Sequence, residues 1–584
     1  MTNTFNYSAL PDDSIRLLKI SSNAAGDIFC EVSNFIFAQA PRFYALSYTW
    51  GTDEATESIL CNGLAMQIKA NLHDAIRTLF SPPISLDLPI WIDAVCINQH
   101  DDEEKAVQVS RMGDIYRKAH QVVAWLGPSG QDSDLAMDWF ERLTVALPLI
   151  QFPPPRHQFG GYGLPEADDT IWPAIGNLFR RPWFGRLWTF QEAVLAADLL
   201  MICGHKTISS EILIAAAKEL RRLSIDRWCV RLQAIGNHED GFRAMEIVDG
   251  AKRDLKTDGQ LSFPNLLAVA CSKLCLDPRD RAYGMLGMTG KGFQDRIQVS
   301  YSNDPSQDSI QTSIDCAKAC IGEGLPAILR LVAGRQRVPG LPSWCPNLNS
   351  YQYANQLQAN WYRAGLLIEE TEAEVFRGKT TAANNHLVIS GFQADTVSET
   401  VAAEYPSLRG ELKSNLVGDF LTWEAQCLAL AQKITSETVP MGHIFTLTGD
   451  TRQKPLHTKD EDFHQAYVDL LANMNSVAQG RGGAFPPKER RELFHHMANE
   501  ISGICRGRRY FGTEKGCLGV GPLELKKGDT VCVLYGTKPP YVLREVEEKT
   551  GEWSLIGDAF VHGLMELGET LKSARGPDEV FTIV

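Results

Sequence analysis

Three short stretches of the chain concentrate the residues able to do chemistry. The first, Leu88-Pro-Ile-Trp-Ile-Asp-Ala-Val-Cys-Ile-Asn-Gln99, is an apolar, strand-like run with Asp93 at its middle and the amides Asn98 and Gln99 at its end. Burying such groups unpaired costs roughly 1–3 kcal/mol each, so they are expected to be satisfied or used. The second, Phe43 to Gly51, closes on Ser47, Tyr48, Trp50 and Gly51; a glycine there permits a tight turn or close approach to a ligand. The third, Pro182 to Ala196, holds Arg186, Trp188, Gln191 and Glu192. On a helix Trp188 and Glu192, four apart, share a face. A carboxylate beside an indole at a cleft edge can hold a raised pKa or grip a ribose hydroxyl. Each residue also has an ordinary use: Asp93 capping a helix, the two amides tying a loop, Trp188 anchoring a core, Glu192 facing solvent.

The elements that must position these groups alternate between strand-like and helix-like over the first ~220 residues, as in an α/β domain. Phe43 to Thr49, Ile90 to Ile97 and Gln121 to Gly127 read as strands, and Asn71 to Phe80 as a short amphipathic helix. Asp101 followed by Glu104 fits a helix N-cap with its partner three residues on. Behind it Val109, Met112, Ile115 and Ala119 form one buried stripe. Strands joined by such helices should run parallel, with Leu199 to Cys203 as a fourth. Ligands in such sheets meet the carboxyl ends of the strands, where Ser47, Tyr48, Trp50, Gly51, Asp93, Asn98 and Gln99 fall. Pro182 to Ala196 reads as one aromatic-rich helix, and Gln151 to Pro165 as a loop or insertion.

The expected organisation is an α/β domain over 1–220, a mainly helical region over 221–360, and a mixed helical and β-rich region over 361–584. Within the last, segments near 365–400 and 508–562 read as β-rich, the latter as a small barrel or sandwich, with Leu421 to Ser502 helical between them.

Composition excludes several classes. The chain has 584 residues, 44% apolar and 22% charged, with a formal charge of -14. That is an ordinary globular balance, too long for one core. The acidic excess argues against a nucleic-acid partner. No apolar run approaches the ~20 residues that span a bilayer, and no signal peptide opens the chain, so a cytoplasmic location with reduced cysteines is expected. No metal is expected: the pairs Cys271/Cys275 and Cys316/Cys320 lack a second pair of ligands, and His495-His496 with Glu500 is too little. Walker A, GxSxG and HExxH signatures are absent. Gly516 to Gly521 reads as a turn between strands, not a phosphate cradle.

Several of these stretches resemble the fungal heterokaryon-incompatibility (HET) domain family, whose members trigger cell death when genetically unlike hyphae fuse. Tyr44-Ala-Leu-Ser-Tyr-Thr-Trp-Gly51 looks like its first block. Trp91 to Gln99, running into Gln108, Met112, Tyr116 and Ala119, looks like its second. Arg181-Pro-Trp-Phe-Gly-Arg-Leu-Trp-Thr-Phe-Gln-Glu192 with Cys203-Gly204 looks like its third. Asp277-Pro-Arg-Asp-Arg-Ala-Tyr-Gly-Met-Leu-Gly287, Leu341 to Trp344 and the closing Gly519 to Met565 region resemble pieces of long family members. Lys105 departs from a frequent arginine. The resemblance implies a TIR-like, flavodoxin-type parallel sheet, and an effector of non-self recognition acting through a protein partner or self-association. Some TIR domains cleave NAD at the nicotinamide–ribose bond with a glutamate on the helix after a tryptophan-bearing segment. By that analogy Glu192 is the catalytic residue and NAD the substrate, with Ser47, Trp50 and Asp93 lining the pocket. A third alternative is recruitment of such a protein to a secondary-metabolite pathway.

Overall fold

A computed structural model describes residues 4–584 except 24–26, 52–53, 131, 152–155, 227–228, 230–240, 302–303, 333–337, 350–379, 407–413, 451–457, 482, 547–550 and 566–572. The chain divides into two compact units, Met1–Ser309 and Ile310–Val584.

The first unit is built on a mixed sheet. Its strands are β1 (Ser14–Ser22), β2 (Ile28–Ile36), β3 (Tyr44–Ser47), β4 (Glu57–Cys61), β5 (Leu64–Ile68), β6 (Ile90–Trp91), β7 (Gln121–Trp125), β8 (Leu199–Cys203) and β9 (Lys206–Ser209). They lie in the order β5-β4-β2-β1-β6-β3-β7-β8-β9. The middle four, β6-β3-β7-β8, are mutually parallel, as the alternation predicts. Val122, Val123 and Ala124 of β7 are fully buried, as expected where helices cover both faces. Two hairpins flank this core on one side. β1 and β2 pair antiparallel along nine residues, and β4–β5 turns at Asn62 (φ 50°) and Gly63 (φ 80°). Both turn residues have positive φ, the requirement of a tight two-residue hairpin loop.

The helices that matter here are α1 (Ala70–Leu79), α2 (Asp93–Cys96), α3 (Asp102–Lys118), α4 (Ser133–Ala146), α5 (Ile171–Phe179), α6 (Leu187–Leu195) and α7 (Ser210–Arg222), followed by α8 (Gly241–Asp258), α9 (Phe263–Ala270) and α10 (Asp280–Leu286). Asp101 caps α3 as expected, accepting from the Glu103 and Glu104 amides.

Two expectations need correction. The strand read over Ile90 to Ile97 stops at Trp91, and Asp93 to Cys96 forms the single helical turn α2. The cause is local: Asp93 Oδ1 accepts from the Ala94 amide at 2.7 Å, and Cys96 Sγ accepts from the Ile92 amide at 3.3 Å. Such side-chain bonds compete with the strand ladder. Likewise Pro182 to Ala196 is not one helix. A 3₁₀ turn, Pro182–Gly185, is followed by extended Arg186 (φ -73°, ψ 141°) before α6 begins. Arg186 bridges to Leu274, and Leu187 N donates to Leu274 O at 2.9 Å, which holds the break open.

The second unit combines helices with a β-rich region. Its strands are β10 (Thr381–Ala383), β11 (His386–Thr400), β12 (Arg508–Thr513), β13 (Leu518–Pro522), β14 (Thr530–Leu534), β15 (Tyr541–Glu545), β16 (Glu552–Asp558), β17 (Phe560–Val561) and β18 (Glu579–Ile583). Strands β14-β15-β16-β18-β11 form a ring that closes through β11–β14; it takes β11 and β18 from outside 508–562, where a small barrel or sandwich is expected, and leaves β12, β13 and β17 beside the ring. Closure removes the exposed edges an open sheet would leave. Beyond a register shift between Gln393 and Asp395, β11 leaves the ring to pair with β12, which continues to β13 and β17. Gly516, at φ 89°, lies in the β12–β13 turn, as read from the sequence. Helices α11 (Ser414–Thr435), α12 (Met441–Thr448), α13 (Asp460–Ala478) and α14 (Arg491–Cys505) pack on a core including Trp423, Phe463, Met497 and Tyr510. The β reading near 365 lies partly outside the described residues. Among the described residues no helix is long and apolar enough to cross a membrane, and no group of three or more His, Cys, Asp or Glu could hold a metal.

Candidate functional site

The carboxyl ends of β3 and β6 bring the first two stretches together, and the Arg186 break brings in the third. Glu192, on α6, is only 1% exposed. Its carboxylate stands 4.0 Å from the Arg186 guanidinium, which is 3.9 Å from Asp93. Two buried carboxylates therefore share one guanidinium without close contact to either. The closest bond of Arg186 is to a backbone carbonyl: Nη1 donates to Tyr48 O at 2.5 Å. The guanidinium also lies over the Trp50 ring at 5.8 Å, and the Trp50 indole donates to Asp93 Oδ2 at 2.9 Å.

Electrostatics separate the two acids. Burial pushes Glu192 up to about 7, opposed by Arg186 and the Ser47 hydroxyl and reinforced by Asp93. Burial also raises Asp93, but Arg186, the Trp50 indole and the Ala94 amide oppose it. Arg186 stays charged: burial works against it, while Glu192 and Asp93 push its pKa up. Burial lifts the hydroxyls of Tyr48 and Tyr116 well above the usual range, with Asp93 adding to the first and Glu192 to the second. Glu192 Oε2 is buried with no hydrogen-bond partner. A carboxyl titrating near 7 is suited to proton transfer at neutral pH, or to gripping a hydroxyl of a bound molecule.

The remaining sequence candidates divide by what they touch. Ser47 is fully buried, and its hydroxyl accepts from the Trp183 indole at 2.9 Å. Gly51 is exposed at φ 71°, with nothing within 4 Å of where a Cβ would stand; Lys69 Nζ donates to its carbonyl at 3.0 Å. Asn98 and Gln99 secure the loop into α3. Gln99 Nε2 donates to Asp93 O at 3.1 Å, and Asn98 Oδ1 accepts from the His100 amide at 3.3 Å. The same loop is fixed by a buried pair, Arg16–Glu104. Glu104 also accepts from the Asn98 amide at 2.7 Å, and Arg16 donates to Cys96 O at 3.0 Å. Trp188 turns its indole away from the cluster to donate to Asp280 Oδ2 at 3.0 Å. Two further neighbours of Glu192 and Asp93 are Tyr48, named beside Ser47 at the end of its strand, and Tyr116, which the sequence marks only as part of a family-like block and which lies four residues beyond Met112 on the buried face of α3.

The acid cluster and most of the barrel strands lie within segments that match known families. Residues 43–192 match the family model described as heterokaryon incompatibility protein (HET), and residues 443–582 match the Het-6 beta-barrel domain. The chain thus carries a HET segment followed by a Het-6 barrel segment. It is 27% identical to heterokaryon incompatibility protein 6, OR allele, of Neurospora crassa, an alignment covering 99% of this chain and 98% of that protein. No solved structure matches it.

Proposed function

We propose that this chain is a heterokaryon (vegetative) incompatibility protein, an effector of non-self recognition and programmed cell death in filamentous fungi. The observation that carries this reading is similarity along essentially the whole length to a protein of that name, with both domain types matched in order. Residues 1–220 form the effector domain, 221–360 a helical region and 361–584 the regulatory or recognition part, working in the cytoplasm through a protein partner or self-association. The test is transformation of the coding sequence into fungal strains carrying divergent versions. Recovery of viable transformants should collapse in incompatible strains and not in the strain of origin. Equal recovery everywhere contradicts the proposal.

A second reading, that the effector domain is TIR-like and cleaves NAD, is favoured by one specific observation. Glu192 keeps a proton to about pH 7 beside Arg186, with one carboxyl oxygen unpartnered. The adjacent parallel strands β6-β3-β7-β8 suit a flavodoxin-type arrangement. In this reading Glu192 stabilises the developing positive charge on the ribosyl carbon or holds its hydroxyls. Trp50, Gly51, Ser47 and Asp93 line the approach. Nicotinamide release by the purified chain, lost in Glu192→Gln, supports it; no turnover by the folded chain refutes it.

A further inference from the structure

The segment carrying Arg186 and Glu192 is broken at Arg186 and then held. The groups that hold it come from residues 273–301, beyond the matched HET segment. Four residues hold it, in sequence order along the held segment. Lys273, 2% exposed, donates from Nζ to Phe184 O at 3.1 Å. Leu274 pairs with the break itself: its amide donates to Gly185 O at 2.8 Å, and its carbonyl accepts from Leu187 N at 2.9 Å. Asp280 accepts from the Trp188 indole at 3.0 Å. Gly287 N donates to Gln191 Oε1 at 3.0 Å, one residue from Glu192.

Asp280 is the junction of this bracket. Its second oxygen accepts from the Tyr301 hydroxyl at 2.7 Å. The Tyr301 ring lies under two cations, Lys105 of α3 at 4.1 Å and Arg279 at 5.1 Å. A continuous set of contacts thus joins α3, which follows the Asp93 loop, through Tyr301 and Asp280 to Trp188, one helical turn from Glu192. A third approach of backbone to backbone completes it: a Cβ on Gly113 of α3 would meet Gly287 Cα at 2.8 Å. This use accounts for Asp280 and Gly287 within the Asp277 to Gly287 motif and for the Trp188 indole.

We propose that residues 273–301 are a positioning element of the HET site, with Asp280 as the positioning residue that sets α6 so that Glu192 meets Arg186 and Asp93. Asp280 acts through Trp188 and touches no reacting group. The proposal rests on Glu192 being the functional group of the site, so its test has a readout independent of activity.

The experiment uses the full chain with carbon-13-labelled glutamate and follows the Glu192 carboxyl by infrared difference spectroscopy across pH, with Glu192→Gln identifying the band. Asp280→Ala should move the Glu192 midpoint by about one pH unit or more, a tenfold change in proton affinity. Asp280→Asn, which keeps an oxygen for the indole, should restore most of the wild-type midpoint. An unchanged midpoint in folded Asp280→Ala overturns the proposal. If that variant does not fold, Trp188→Phe and Tyr301→Phe, each deleting one bond to Asp280, decide instead, and unchanged midpoints in both overturn it. If Glu192→Gln keeps cell-death activity while Asp280→Ala still moves the midpoint, the site reading fails and the positioning role stands.

Discussion

Glu192 should make the stability of the first unit depend on pH in an unusual direction. Its pKa rises from 4.5 to about 7 on folding because burial disfavours its charge. Between those values the folded chain binds more protons than the unfolded chain, so stability falls as pH rises. The stabilisation is complete below about pH 4.5 and gone above about pH 7. At about 1.4 kcal/mol per pH unit, the full change is roughly 3 kcal/mol. The group is 1% exposed, so solvent screening removes little of this. The assay is pulse proteolysis in urea, read by mass spectrometry on peptides from 1–309, for wild type and Glu192→Gln across pH 4–8. The difference between the two chains should shrink or grow by roughly 3 kcal/mol across that window, wild type losing stability relative to the variant as pH rises. Asp93, raised in the same direction, is present in both chains and largely cancels. Parallel profiles would refute the reasoning, because they would mean that Glu192 is ionised at neutral pH like a solvated carboxylate.

Three further changes probe the scaffold. Glu104→Gln leaves Arg16, 1% exposed, without its counter-charge, and should cost roughly 3–5 kcal/mol in urea unfolding of the same peptides. Gly113→Ala forces a methyl to 2.8 Å from Gly287 Cα and 3.3 Å from Leu195 Cδ1, which should destabilise by about 1–3 kcal/mol and raise hydrogen exchange in α6. Asp101→Ala removes an exposed cap accepting two amides and should cost only about 1 kcal/mol, read as faster exchange in the first turn of α3.

The parallel strands were legible because their apolar runs and intervening helical stripe carry distinct periods, and the α3 cap because Asp101 precedes the stripe directly. The Asn62-Gly63 dipeptide carried a hairpin signal as plain as any in the chain, yet the β4–β5 pair was not read from it. Asp93 was recognised as out of place in a strand, but periodicity treats a residue that bonds its own backbone like any other member of the run. The break at Arg186 follows two local breakers, Pro182 and Gly185, but the residue that holds it, Leu274, is 88 residues away. Trp188 and Glu192 do share a helix, but which way each points depends on Asp280 and Arg186, partners that spacing alone does not supply. The same limit hid the role of Tyr116: its place beside Glu192 comes from packing α3 against α6.

The most direct test of the incompatibility reading is live imaging of hyphal fusions between a strain carrying this chain and one carrying a divergent version, with a vital dye. Fused compartments should die when the chain is intact and survive when its gene is deleted from the carrying strain. Equal death or equal survival with and without the chain would contradict the account.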